Sequence, residues 1–196
     1  MAKSVGKLFE EEIKASFPQD FYVERYKDDT AGFKGVANPA DFRLYKYPLT
    51  FLLELKSHKG KSIPIAKIRP NQIQGMEKAT HYEGVYGGFL INFRELEETY
   101  YITVQDVIQF IQMEERKSIP VEWCRDHGVK IDQKKKRVRY SYDLESWLSR
   151  YYTSSTSVID KISDTITVNK IATIDRVIDT VMRGNHKVGV KAYGSK

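Results

Sequence analysis

An apolar run that leads straight into alternating charged residues constrains this chain more than any other feature. Residues 49–53 are almost all apolar, and Glu54, Leu55 and Lys56 follow directly. Side chains two residues apart in an extended strand project from the same face, so a strand here turns Glu54 and Lys56 toward one face. Leu53 and Leu55 then point to the other face. The run therefore predicts a strand with an apolar core on one side and a polar site on the other.

A second carboxylate, Asp41, lies 13 residues before Glu54. If the chain turns back at residues 46–48, two neighbouring strands bring Asp41 beside Glu54. Carboxylates are hard oxygen ligands that suit Mg²⁺ or Mn²⁺, and Lys56 would then stand beside a metal-bound water and a scissile phosphate. A surface ion pair would use the same residue types, but an apolar strand that runs directly into Glu54 and Lys56 favours a functional site. The pattern is typical of a magnesium-dependent phosphodiesterase.

Apolar spacing along the rest of the chain predicts alternating helices and strands. The helical spacing of Val5, Leu8 and Ile13 after a Ser4 cap predicts a first helix that ends near Ser16. Further strands are expected at 21–26, 41–45, 50–56, 88–93 and 99–104, and further helices from 70, 105 and 143. This alternation predicts an α/β fold, with a mixed β-sheet flanked by helices.

The chain length allows one compact domain and an appended segment. We assign residues 1–152 to a single domain. Residues 153–196 begin with a Ser/Thr-rich break and then carry Ile, Val and Met at helical spacing. They are expected to form a helical C-terminal extension, as a docking helix, a dimer arm or a flexible tail.

The composition of the chain indicates what kind of partner it binds and in which cellular compartment it is expected. The net charge of +6 favours a polyanionic partner. The single cysteine, Cys124, excludes an intramolecular disulfide framework and fits a reducing cytoplasm. The chain shows no apolar stretch long enough to span a bilayer and no signal-peptide core at its N-terminus. We therefore expect a cytoplasmic protein with no membrane partner.

Basic residues surround the two strands that are expected to carry the site. Arg43 follows Asp41, and Phe33 with Lys34 forms an aromatic and basic tip between two glycines in the preceding loop. Four more follow the second strand: Lys59, Lys61, Lys67 and Arg69. Together they predict a rim that contacts DNA phosphates. Phe33 either wedges against unstacked bases or packs under its own loop. The basic segment 134–139 is either a second DNA-contacting strip or a solvated hairpin edge.

Four short motifs carry a resemblance to a known family. They are Asn38-Pro39-Ala40-Asp41-Phe42, Glu54-Leu55-Lys56, Ser62-Ile63-Pro64-Ile65 and Asn71-Gln72-Ile73. In this order and spacing they resemble the RecU-type Holliday junction resolvases of phages and Gram-positive bacteria, which belong to the PD-(D/E)XK nuclease superfamily. The resemblance runs from about residue 6 to residue 104.

The resemblance implies a restriction-endonuclease-like fold and a set of roles at positions of this chain. Asp41 and Glu54 would bind the metal, Mg²⁺ with Mn²⁺ as a substitute, and Lys56 would orient or activate the attacking water. Glu10 on the first helix would complete the metal environment, while the other two glutamates of its run would be solvated. Gln72, on the helix after the catalytic strand, would contact the site or its water.

The resemblance also implies a homodimer whose two active sites face opposite strands of a four-way junction. We therefore expect a structure-selective endodeoxyribonuclease that resolves four-way (Holliday) DNA junctions by paired metal-dependent nicks in recombination and repair. It would act at the nucleoid, or in the host cytoplasm if a phage encodes it. Three alternatives stay open. The first is a nuclease of the same fold with another DNA substrate, as in restriction or repair, and the second is an architectural protein that only binds branched DNA. The third is a regulatory protein whose basic surface binds another protein, with the C-terminal extension as its docking element.

Overall fold

The structure is a computed structural model that describes residues 4–26 and 38–151. The predicted tip at Phe33 and Lys34 and the predicted extension at 153–196 lie outside these ranges. Both stay predictions, as does the domain boundary after residue 152. Within the described ranges, helices and strands alternate as the sequence predicts.

A six-stranded mixed sheet forms the centre of the fold. The strands in chain order are β1 (Tyr22–Arg25), β2 (Phe42–Lys46), β3 (Leu49–His58), β4 (Ser62–Pro64), β5 (Val85–Phe93), β6 (Glu98–Thr103), β7 (Ser118–Pro120), β8 (Val129–Lys130), β9 (Gln133–Lys136) and β10 (Arg139–Tyr142). The central sheet has the order β1-β2-β3-β5-β6-β8. Strands β3 and β5 pair in parallel, and the other neighbours pair antiparallel. The expected mixed α/β sheet is confirmed.

Helices cover both faces of this sheet. They are α1 (Val5–Lys14), α2 (Pro70–Thr80), α3 (Val104–Met113), α4 (Val121–His127) and α5 (144–151). The predicted cap is confirmed, since Ser4 Oγ accepts the Lys7 N–H at 3.3 Å. Helix α1 ends at Lys14, earlier than predicted, because the Ser16 N–H bonds to the Ile13 carbonyl in a tighter final turn. No helix in the described part of the chain is long and apolar enough to cross a membrane.

The two sheet faces bury separate apolar clusters, and β3 contributes to both. Leu53 is fully buried with α1 and α5, and Leu55 packs against the same cluster. Leu52 points to the other face, into the cluster that contains Met76 of α2 and Val107 of α3. The predicted alternation along β3 is confirmed, and it determines which face carries Glu54 and Lys56.

A short two-stranded sheet ties the chain after β3 to the second half of the fold. Strand β4 pairs antiparallel with β7, so that Ile63 lies opposite Ile119 and both are buried. Each strand belongs to a copy of the same tetrapeptide, Lys-Ser-Ile-Pro, at 61–64 and 117–120. The Ile65 N–H then donates to the Lys117 carbonyl at 2.9 Å. The basic segment after β3 is thereby fixed at both ends.

Glu12 of α1 corrects one prediction about the run of three glutamates. Two of the three were expected to be solvated, but Glu12 is only 2% exposed. Arg94 donates to both of its carboxylate oxygens, at 2.6 and 2.9 Å. The Tyr140 N–H and the Tyr142 hydroxyl donate to it as well, at 3.0 and 3.2 Å. Glu12 therefore joins α1, the end of β5 and the β9–β10 hairpin.

Candidate metal and DNA site

The pairing of β2 with β3 brings the two predicted carboxylates together. Phe42 lies opposite Leu53 in this antiparallel ladder, so one further step places Asp41 opposite Glu54. The Asp41 N–H donates to the Leu53 carbonyl at 3.0 Å, which extends the ladder to this position. Opposed residues of an antiparallel pair share a sheet face. The Leu55 N–H donates to Asp41 Oδ2 at 2.8 Å and orients the carboxylate.

Glu54 is a buried carboxylate that its surroundings only partly satisfy. It is 3% exposed, and its Oε1 accepts a hydrogen bond from Lys56 Nζ at 2.6 Å. Its Oε2 is buried and has no hydrogen-bond partner among the described residues. Burial, and then the nearby Asp41 carboxylate, raise the pKa of Glu54 to about 7, although Lys56 acts in the opposite direction. Two carboxylates therefore lie close together, which disfavours ionisation of Glu54.

Gln72 reaches this pair from the third residue of α2 and is buried, at 6% exposure. Its Oε1 accepts from Lys56 Nζ and from the Arg69 N–H, both at 3.2 Å. The second bond is one half of a capping box, which fixes the Gln72 side chain at the start of the helix. The Gln72 side chain also lowers the pKa of Glu54, to a smaller extent than Lys56 does. Lys56 is thus held between a carboxylate and an amide.

A glycine lets α2 approach the segment that carries Asp41. A Cβ atom at Gly75 would lie 2.7 Å from the Pro39 Cβ, closer than real Cβ contacts. Pro39 and the buried Ala40 directly precede Asp41. The contact therefore positions the first carboxylate against the same helix that positions Gln72.

The structure brings together Asp41, Glu54, Lys56 and Gln72. The fifth predicted site residue is Glu10 on α1. Glu10 Oε1 accepts a hydrogen bond from Arg25 Nε. Within residues 4–26 and 38–151, no three His, Cys, Asp or Glu side chains are grouped closely enough to hold a metal ion. The role of Glu10 as a third metal ligand stays a prediction.

The basic rim lies at the surface as far as the structure describes it. Arg43 is exposed and pairs with Glu24 at 2.7 Å. Four exposed basic side chains follow β3: Lys59, Lys61, Lys67 and Arg69. The basic segment 134–139 forms a hairpin of β9 and β10. Its lysines Lys134, Lys135 and Lys136 are all exposed, and Lys135 pairs with Glu97 at 3.0 Å. Contact with DNA stays a prediction for all of them.

His58 extends the polar face of β3 beyond Lys56, a position that was not predicted from the sequence. Strand β3 continues to His58, so His58 falls on the same face as Glu54 and Lys56. Its Nδ1 lies 3.0 Å from Lys67 Nζ. Strict alternation along a longer strand would have identified it, but the polar residues after Lys56 indicated an earlier strand end.

The donor set suits a divalent cation. The buried Oε2 of Glu54 lacks a hydrogen-bond partner among the described residues, and the pKa of Glu54 is raised by burial and by Asp41. A cation between these carboxylates would satisfy that oxygen and neutralise the repulsion. Carboxylate ligands alone favour Mg²⁺ or Mn²⁺ over softer metals.

Fold and site together define a mixed-sheet protein with a carboxylate pair and a lysine on its central strand. The family model described as "Recombination protein U", RecU, matches residues 45–146, which include Glu54, Lys56 and Gln72. The chain belongs to the RecU family, and the resemblance seen in its sequence is confirmed.

Individual relatives fall into a prophage and a bacterial group. The SPbeta prophage-derived uncharacterized protein YotM of Bacillus subtilis (strain 168) is 33% identical over 164 residues, which cover 73% of this chain and 84% of YotM. The Holliday junction resolvase RecU of Streptococcus pneumoniae (strain P1031) is 36% identical over 126 residues, which cover 61% of this chain. The match spans 59% of the length of that streptococcal protein. The YotM match fits the expected phage branch.

One solved structure shows a more distant likeness. It is Hjc, a Holliday junction resolvase from Archaeoglobus fulgidus, with a TM-score of 0.41 and 15% sequence identity. The likeness covers 63% of this chain and 90% of Hjc.

Proposed function

We propose that this protein is a Mg²⁺-dependent endodeoxyribonuclease that resolves four-way DNA junctions. The observation that carries the proposal is the buried Glu54 carboxylate, which lies opposite Asp41 and beside Lys56, with one oxygen that lacks a hydrogen-bond partner in the described ranges. A buried carboxylate whose pKa is raised by burial and by a second carboxylate, with an ammonium beside it, is unfavourable in a structural role. The same arrangement is suited to hydrolysis of a phosphodiester. Membership of the RecU family and the streptococcal RecU relatives support this reading.

Asp41 and Glu54 would hold the metal, which when bound supplies Lewis-acid stabilisation of the phosphate and lowers the pKa of water. Lys56 would contribute a fixed positive charge beside the scissile phosphate. Its ammonium is held by Glu54 and Gln72 at 2.6 and 3.2 Å, so little reorganisation is needed as charge develops on the phosphate. Mn²⁺ is expected to substitute for Mg²⁺.

The substrate follows from symmetry and from charge. Resolution of a four-way junction needs two matched incisions, and a two-fold dimer presents two identical sites at one fixed separation. The exposed basic side chains that flank β3 supply contacts to phosphates. We therefore propose a homodimer that nicks two opposed strands of branched DNA.

The test is cleavage of a labelled mobile four-way junction against a matched linear duplex, in Mg²⁺, in Mn²⁺ and in EDTA. Wild type should give symmetrical nicks in the junction that require the metal. Glu54→Gln should bind the junction without cutting it, whereas Glu77→Gln, an exposed glutamate on α2, should cut as wild type does.

Each part of the proposal can fail separately. Cutting of linear duplex at an equal rate would leave a nuclease without junction selectivity. Tight junction binding with no cutting in either metal would favour an architectural protein. If sedimentation shows a monomer at the concentrations that give paired nicks, the proposed homodimer is wrong.

A further inference from the structure

The face of β3 that carries the proposed site continues past Lys56 to a histidine. Residues Glu54, Lys56 and His58 alternate along β3 and share its face. At about 3.3 Å per residue, His58 lies roughly 7 Å beyond Lys56 along the strand. A DNA strand that ran along β3 with its scissile phosphate beside Lys56 would bring a neighbouring phosphate near His58.

His58 and Lys67 form a close contact that involves two basic side chains. Lys67 Nζ lies 3.0 Å from His58 Nδ1. An ammonium can only donate, so Nδ1 accepts and the ring proton of the neutral imidazole is on Nε2. Burial, and then Lys67, lower the pKa of His58, while Glu95 acts in the opposite direction. The pair therefore offers one positive charge and several N–H donors that face the same region.

The surroundings keep these donors accessible and in place. A Cβ atom at Gly60 would lie 3.6 Å from His58 Nε2, so the absence of a side chain at Gly60 leaves room beside the donor. Lys67 ends a 3-10 turn at Ile65–Lys67, whose Ile65 N–H is bonded to the Lys117 carbonyl at 2.9 Å. Both groups are therefore attached to backbone that is fixed on either side.

We propose that His58 and Lys67 together bind the phosphodiester that neighbours the scissile phosphodiester in the same DNA strand. This rests on the proposed function, because that function is what brings a DNA strand along β3. An ammonium and an N–H donor that converge on one region match the several oxygens of a phosphodiester. The pair would set which phosphate comes to rest beside Lys56, as a positioning contact rather than a catalytic one.

The experiment is a cycle between protein variants and a chemical change in the DNA. Junctions carry a single neutral methylphosphonate in place of either phosphate next to the scissile one, and binding is measured by fluorescence anisotropy in EDTA. We expect His58→Ala and Lys67→Ala each to weaken binding of normal DNA about tenfold. On the junction in which the contacted phosphate is neutral, each variant should bind with the same affinity as wild type, because the contact that the substitution removes is already absent.

Control variants separate this contact from general effects of charge. His81→Ala and Lys78→Ala remove exposed side chains of the same types at α2, and should leave the affinity unchanged. His58→Gln keeps an N–H donor near the position of Nε2 and should retain most of the affinity. In Mg²⁺, His58→Ala should raise KM with little change in kcat, since it removes binding rather than chemistry.

Two results would overturn the proposal. Equal losses for His58→Ala on normal and on neutralised DNA would show that it does not contact the phosphate. If wild type does not bind the junction at all, the proposed function fails, and inorganic phosphate then tests the site alone by NMR of the histidine rings. A shift of the His58 signals in wild type that is lost in Lys67→Ala would support the site, and no shift would overturn it.

Discussion

Glu12 and Glu54 are both buried glutamates on opposite sides of the central sheet, and their pKa values are shifted in opposite directions. Glu12 receives donors from Arg94, Tyr140 and Tyr142. Burial alone would raise the pKa of Glu12, but the bonds from Arg94 and the Tyr140 backbone outweigh it and lower the pKa. Glu54 has Lys56 on one oxygen, and a raised pKa of about 7.

The difference separates a structural carboxylate from a candidate metal ligand. A buried charge whose hydrogen bonds are complete fixes the elements that supply them, as Glu12 does for α1 and the β9–β10 hairpin. A buried charge that faces a second carboxylate, and that has an oxygen without a hydrogen-bond partner in the described part of the chain, is costly in the absence of a ligand. The same residue type therefore serves the fold at one position and a candidate metal site at the other.

The largest expected difference is in cleavage. Glu54→Gln should reduce junction cleavage about a thousandfold or more, because it removes a proposed metal ligand. The same change should leave the melting temperature equal or higher, since it removes repulsion with Asp41. Glu12→Gln should do the reverse, with lower stability and near-normal cleavage in the folded fraction. If the cleavage rate and the melting temperature both fall in both variants, the two glutamates do not differ in role.

Removal of the arginine tests the structural side of the comparison. Arg94→Leu leaves the buried Glu12 carboxylate without its main partner and should lower the free energy of unfolding by about 3–5 kcal/mol. The neighbouring pair of Glu11 with Arg139 is partly exposed, at 3.1 Å, so Arg139→Leu should cost no more than about 1 kcal/mol. Urea unfolding of both variants measures this, and equal losses would mean that burial does not distinguish the pairs.

The two glutamates should also give opposite pH dependence. Glu12 has a lowered pKa, so its contribution is present above its ordinary value of 4.5 and is lost as the pH falls below it. Glu54 has a raised pKa, so between 4.5 and about 7 the folded state keeps a proton that the unfolded state releases. Stability should therefore fall by about 3 kcal/mol as the pH rises through this window.

Unfolding measured from pH 4 to pH 8 without metal checks this sign. The fall above pH 4.5 should be present in wild type and absent in Glu54→Gln. Mg²⁺ should oppose the fall, because a cation favours the ionised carboxylates. A wild-type profile that coincides with that of Glu54→Gln would mean that Glu54 ionises normally.

The candidate site was predictable because its main contacts are close in sequence. Asp41 and Glu54 lie on two adjacent strands joined by one turn, so their spacing and the alternation along β3 suffice to place them opposite each other. Gln72 came from the resemblance alone, and the structure gives it a physical basis in the capping of α2 and the contact with Lys56.

The state of Glu12 was not predictable because its partners are distant in sequence. Arg94 lies 82 residues away and Tyr142 lies 130 residues away, so no local pattern distinguishes Glu12 from its two neighbours. The pairing of β4 with β7 was not predictable either, because three-residue strands show too little alternation to be recognised in a sequence. Local patterns therefore predicted the candidate site and missed the long-range contacts that close the fold around it.

The smallest expected effect concerns the group that moderates Glu54. The Gln72 side chain lowers the pKa of Glu54 and holds Lys56 at 3.2 Å. Gln72→Ala should therefore move the acidic limb of the cleavage pH profile upward by less than about one unit, and lower kcat about tenfold. It also removes half of the capping box, at about 1 kcal/mol of stability. Gln74 is an exposed amide two residues later, and Gln74→Ala should change neither the pH profile of cleavage nor the stability. A loss of stability in Gln72→Ala with no shift of the pH profile would assign Gln72 to the fold, on the same side of the comparison as Glu12.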